Sequence, residues 1–197
     1  MKNNIDKKSI EEVIKVDSIL FFDMDGTLVD TNLANFLAYS NAIKEVSNSD
    51  LELKYEPNIR FNRSTLKSTL PDLPPIEYNR IVQKKEIIYD ELLNETKLNT
   101  FLYEILKKYS ISNKTVLVTN CRSERAKSTL NHHRLTDLFD VIFYRQFSEN
   151  ENKINKYQFA ISSLAISPKN IIVFENEDQE INDAKIAGIP SINIFMI

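Results

Sequence analysis

Four short apolar runs in this 197-residue chain each end abruptly in polar residues, and helical patterns fall between them. Ser18 to Phe22 empties into Asp23, and Thr115 to Val118 runs into Thr119 and Asn120. Val141 to Tyr144 opens onto a polar stretch, and Ile171 to Phe174 onto the acidic cluster Glu175 to Glu180. The residues Leu98, Phe101, Leu102, Ile105, Leu106 and Tyr109 follow helical spacing, as do Ile154, Tyr157, Ile161, Leu164 and Ala165. Near-continuous apolar strands alternating with amphipathic helices predict an α/β protein, a three-layer Rossmann-like parallel sheet covered on both faces. In such a sheet the site lies beyond the carboxyl ends of the strands, so the polar residues after each run converge on one crevice.

Residues 33–97 interrupt the alternation. Leu33, Phe36, Leu37 and Ile43 read as one helix, and Ile81, Val82, Ile88, Tyr89 and Leu92 as another, with a polar loop and Pro71, Pro74 and Pro75 between them. The expected organisation is a catalytic core of residues 1–32 and 98–197 with a small α-helical cap, 33–97, inserted after the first strand. The length suits one core plus such an insert.

Composition excludes other classes. A formal net charge of −3 supplies no clustered basic face for nucleic acid. No apolar run approaches the roughly 20 residues that span a bilayer, so no membrane partner is expected. Cys121 is the single cysteine and has no internal disulfide partner, which suits a cytoplasmic location. Glycine occurs only twice, at Gly26 and Gly188, against an average of about 7%. Both positions are therefore expected to need its backbone freedom.

The segment Phe21-Phe22-Asp23-Met24-Asp25-Gly26-Thr27-Leu28-Val29-Asp30-Thr31 sets two carboxylates two residues apart at a strand end, where period-two geometry points both to one side. Like charges held so close call for a divalent cation or for a pair with split pKa values. Gly26 allows a tight turn. The segment resembles the first motif of the haloacid dehalogenase superfamily, nearly letter for letter, and specifically its phosphoglycolate phosphatase and β-phosphoglucomutase-like branch with a helical cap. The resemblance implies magnesium as cofactor, held by the Asp23 carboxylate and the Asp25 carbonyl, with Asp23 attacking phosphorus and the Asp25 side chain moving protons. Gly26 and Thr27 would border the phosphate.

The other motifs of that family have counterparts. Val116 to Asn120 resembles the second, with Thr119 binding a phosphoryl oxygen and Asn120 and Arg122 lining the pocket. The third requires a lysine, and Lys153 and Lys156 are both candidates. Lys153 stands six residues before Phe159, as family members usually have it, and is the expected one; Lys156 is then an ordinary solvated lysine. The acidic loop beginning at Glu175 is similar to the fourth motif, with Glu175, Asn176 and Glu180 as magnesium ligands, although Asn176 stands where aspartate is usual. In the cap, Arg63 within Arg60 to Ser64 would read the leaving group.

The implied reaction is magnesium-dependent hydrolysis of a small phosphorylated metabolite, a phosphate monoester, through an aspartyl-phosphate on Asp23. Two rivals stand beside it. One is a mutase returning the phosphoryl group to a sugar phosphate; the other is a catalytically weakened phospho-ligand-binding protein, suggested by Asn176.

Overall fold

The computed structural model describes residues 7–47, 52–57, 59–146 and 154–197. In chain order, helix α1 (Lys7–Val13) precedes strands β1 (Ile19–Phe22) and β2 (Val29–Asp30). Helices α2 (Asn32–Ser47), α3 (Arg63–Thr69) and α4 (Pro75–Glu91) come next, then strand β3 (Lys97–Leu98) and helix α5 (Thr100–Tyr109). Strand β4 (Lys114–Val118), helix α6 (Ser123–His132), strand β5 (Val141–Phe143) and helix α7 (Lys156–Leu164) lead to β6 (Ile171–Glu175), α8 (Asp178–Ile186) and β7 (Ile194–Met196). Two compact units result: Met1–Leu28 with Leu98–Ile197, and Val29–Lys97.

The first unit is the α/β core. Its five strands lie parallel in the order β5-β4-β1-β6-β7. β1 is central: Phe22 stands level with Leu117 on one side and Phe174 on the other. One face buries Phe21, Val116, Val118 and Val173 against Tyr157, Ala160 and Ala184 from the helices. Burying each such large apolar side chain contributes roughly 1.5–3 kcal/mol. The strands alternate sides, so Phe22 contributes to the opposite face, stacked on Phe174 at 4.7 Å between ring centroids.

Element boundaries depart from the sequence reading in ways that affect the site. β6 continues through Glu175, which is fully buried as a strand residue rather than opening the acidic loop. β7 was not expected from the sequence; it has three residues and no helix follows it among the described residues, so no alternation announces it. α7 begins at Lys156 and not at Ile154, because the side chain of Asn155 caps it, accepting from the N–H groups of Tyr157 and Gln158.

The second unit opens at Val29 rather than Leu33. α2 and α4 match the two helical patterns, with Pro75 as the first residue of α4, where a missing donor does no harm. α3 lies inside the stretch read as a loop, capped by the Asn62 side chain. Phe36, Tyr39, Ile43, Leu66, Ile81 and Tyr89 form this unit's own core. Within it the buried Lys85 ammonium sits 4.8 Å from the Tyr89 ring centroid and 5.4 Å from that of Tyr39.

Both glycines have left-handed backbones, Gly26 at φ +86° and Gly188 at φ +89°. Gly188 closes α8: its N–H bonds the Lys185 carbonyl and the Ile189 N–H that of Ala184, the paired bonds of a Schellman end. Gly188→Ala should destabilise the protein by about 1–2 kcal/mol, seen as a lower urea midpoint at unchanged slope; an unaltered midpoint would show that the turn tolerates a side chain.

Candidate active site

Asp23 follows β1 directly, and its N–H still bonds the Phe174 carbonyl at 3.1 Å, so the sheet fixes its backbone. One carboxylate oxygen, Oδ1, accepts from Lys156 Nζ at 2.7 Å. The other lies 3.3 Å from the hydroxyl of Thr27, which is also 3.0 Å from Asn176 Oδ1. The turn that brings Thr27 back is made at Gly26, where a Cβ would fall 2.5 Å from Asn176 Nδ2. Glycine suits this position by its positive φ, and a Cβ would force the Asn176 side chain to shift.

Lys153 lies outside the described residues. Lys156, read from the sequence as solvated, is buried and holds the position foreseen for the motif lysine: 2.7 Å from Asp23, 2.7 Å from Glu175 Oε2 and 3.6 Å from Glu180. The correction has a local cause. Capping by Asn155 makes Lys156 the first residue of α7, and the spacing to Phe159 that favoured Lys153 does not govern where the helix begins. Phe159 packs edge-on against Phe143 instead.

Glu175, expected as a magnesium ligand, has its lone pairs engaged elsewhere. Oε1 accepts from the N–H groups of Asn176 and Glu177 at 2.8 and 3.2 Å. Oε2 accepts from Lys156 and from the Tyr157 hydroxyl, both at 2.7 Å. Four donors use all the acceptor sites a carboxylate has, so Glu175 anchors the cation rather than facing a metal. Glu180 accepts from Asn120 Nδ2 at 2.9 Å, tying the second and fourth motif segments together.

Thr119 is buried at the end of β4, its hydroxyl oxygen accepting the Cys121 N–H at 3.1 Å. Arg122 is exposed and is the N-cap residue of α6. One helical turn further on, Arg125 places its guanidinium 2.9 Å from Asp25 Oδ2. Arg125 and Tyr157 are the two residues that sequence reasoning missed. Position gave a signal for the first, since helical offset brings residue 125 and not 122 back toward the strand ends; nothing in the sequence marked the Tyr157 hydroxyl. Arg63 opens α3 in the other unit, half-buried.

Burial and the nearby Glu175 charge push the Asp23 carboxyl up to about 7, against the pull of Lys156. Burial disfavours the Lys156 ammonium, but Asp23, Glu175 and Glu180 outweigh it and keep that group above the usual lysine range. Asp23, Asp25, Glu175 and Glu180 are four buried carboxylates facing two cations, Lys156 and Arg125. The surplus negative charge and the all-oxygen donor set fit a hard divalent cation such as magnesium. Among the described residues no three His, Cys, Asp or Glu side chains form a ready cage. The residues that could hold such an ion are those the family resemblance implies, Asp23, Asp25, Asn176 and Glu180, a sparse set of the kind magnesium completes with water.

Residues 20–194 match the model of the haloacid dehalogenase-like hydrolase family. A phosphorylated carbohydrates phosphatase of Thermotoga maritima is 27% identical over 180 residues, 88% of this chain and 82% of that protein. The fructose-1-phosphate phosphatase of Escherichia coli is 22% identical over 184 residues, 90% of this chain and 96% of its own. A solved haloacid dehalogenase-like hydrolase of Streptococcus pneumoniae shares the fold at TM-score 0.71 and 20% identity, covering 88% of this chain and 82% of that one. The chain belongs to the haloacid dehalogenase-like hydrolase family. The family is one of hydrolases, and both relatives named above are phosphatases.

The raised Asp23 pKa predicts an unusual stability change. A folded value near 7 against the ordinary 3.8 means that folding favours the protonated carboxyl. That contribution is complete below the ordinary value and is lost as pH rises through 7. Asp23→Asn should therefore melt several degrees above the wild type in EDTA at pH 8, with the gap closing toward pH 5. A variant that melts lower at pH 8 would contradict this balance of charges.

Proposed function

We propose that the chain hydrolyses small phosphate monoesters, sugar phosphates among them, in a magnesium-dependent reaction through an aspartyl-phosphate on Asp23. The observation that carries this is the buried Asp23 carboxylate at the end of the central strand, with Lys156 at 2.7 Å. The two phosphatase relatives, named for phosphorylated carbohydrates and fructose 1-phosphate, support the substrate class.

In this reading Asp23 attacks phosphorus in line. Its new bond to phosphorus forms as the ester P–O bond breaks, and Asp25 delivers a proton to the departing oxygen. Asp25 then takes a proton from water, which attacks the same phosphorus and releases inorganic phosphate and the Asp23 carboxylate. Lys156 offsets the negative charge gathered on the phosphoryl oxygens, and the Thr119 hydroxyl donates to one of them. Arg125 holds one Asp25 oxygen and so limits where that carboxyl can deliver its proton. Bound through Asp23, the Asp25 carbonyl and Asn176, magnesium supplies positive charge at the transferring group. Asn176 brings an oxygen without a charge, so metal affinity is lower than an aspartate would give. Arg63 is assigned to the leaving group. The lone Cys121, buried and unbridged, accords with a cytoplasmic enzyme.

A panel of sugar phosphates and phosphoglycolate with magnesium tests the reading. Wild type should release one inorganic phosphate per ester consumed, EDTA should abolish turnover, and Asp23→Asn should lose at least about 10³-fold in kcat while staying folded. Lys156→Ala should lose about 10²-fold or more. Substrate consumed without matching phosphate would favour the mutase, and no turnover with no metal binding would favour the weakened phospho-ligand-binding protein.

A further inference from the structure

We propose that Tyr157 is a positioning residue that acts through Glu175 to keep Lys156 directed at Asp23. The inference rests on the phosphatase reading of the site and extends it to a residue that touches no substrate.

Tyr157 is fully buried and adjoins Lys156 at the start of α7. Its ring packs among the side chains that cover one face of the sheet, including Val116, Val118, Ala160 and Val173. A phenylalanine would fill that volume, so packing alone does not call for a hydroxyl. A phenol taken out of water needs a partner, and this one reaches Glu175 Oε2 at 2.7 Å, the same oxygen that accepts from Lys156 at 2.7 Å. Glu175 Oε1 is meanwhile held by two backbone N–H groups. The carboxylate is thus fixed at one oxygen and shared at the other.

The sharing has a directional consequence. With one lone pair of Oε2 taken by the tyrosine, Lys156 meets Glu175 along the remaining one, and its ammonium stays within 2.7 Å of Asp23 as well. Removing the hydroxyl leaves a buried carboxylate oxygen short of a donor, which costs free energy and concentrates charge on Oε2. The lysine is the group that can relieve it, by moving toward Glu175 and away from Asp23 and the phosphoryl group held there. Rings and backbone need not shift.

Tyr157→Phe tests this with two readouts. The first is binding of beryllium trifluoride with magnesium, a mimic of a phosphoryl group on a carboxylate, followed by fluorine NMR. The second is turnover of the best substrate from the panel. Wild type should form the adduct and Asp23→Asn should not. Tyr157→Phe should bind the mimic about tenfold more weakly and lose a similar factor in kcat, the low end of what a hydrogen bond to a charged group contributes. KM should stay within about twofold. In a Glu175→Gln background the same substitution should change kcat by less than about twofold, because the route through Glu175 is already broken. Wild-type adduct affinity and kcat in Tyr157→Phe, with only the melting temperature lowered, would overturn the proposal and leave the phosphatase reading intact. So would full additivity with Glu175→Gln. A wild type that forms no adduct would remove the phosphatase reading, and this inference with it.

Discussion

The ammonium of Lys156 is the one cation within hydrogen-bonding distance of Asp23 among the described residues, and the buried carboxylates of the site are arranged around it. Three acids, Asp23, Glu175 and Glu180, lie within 4 Å of it inside the protein. Uncompensated, such a cluster would take up protons or unfold the strand ends. The lysine lets it persist, and it does so incompletely, since burial and Glu175 still drive the Asp23 carboxyl up toward 7. That residual imbalance is a bias toward positive charge, which a metal ion bound in the proposed reaction would relieve. Stability is given up at the place where the chemistry needs charge.

The sheet makes this arrangement affordable. β1 lies between β4 and β6, so Asp23, Thr119 and Glu175 leave three adjacent strands at nearly the same level, in a register set by residues buried for apolar reasons alone. Lys156 comes from outside the sheet, and its place depends on Asn155 starting α7. Two kinds of constraint meet at Asp23, one from strand packing and one from a helix cap.

This division explains what the sequence made legible. Apolar runs ending in polar residues revealed the core strands and the carboxyl-end crevice, because burial leaves a mark on every residue of a strand. The acid pair and Gly26 were legible because few backbones need that combination, and Gly26 is where a side chain would strike Asn176. Lys156 reads as solvated in the sequence because its burial turns on a cap, a feature of a single residue. Glu175 was misread as loop because β6 runs one residue further than its apolar content suggests. Arg125 and Tyr157 act through long-range contacts, about 100 residues to Asp25 and 18 to Glu175, for which no periodic pattern exists.

Asn176 gives the site its individual character. Its amide closes over Gly26 and accepts from Thr27, so it belongs to the wall around Asp23 even though it adds no charge. In the proposed reaction Asp23 becomes phosphorylated. Acid-quenching the magnesium-loaded protein during turnover, then mass spectrometry of its peptides, tests this most directly. One phosphoryl group should appear on the peptide bearing Asp23 and be absent from Asp23→Asn. Turnover that never leaves a phosphoryl group on the protein, or that leaves it on another residue, would contradict it.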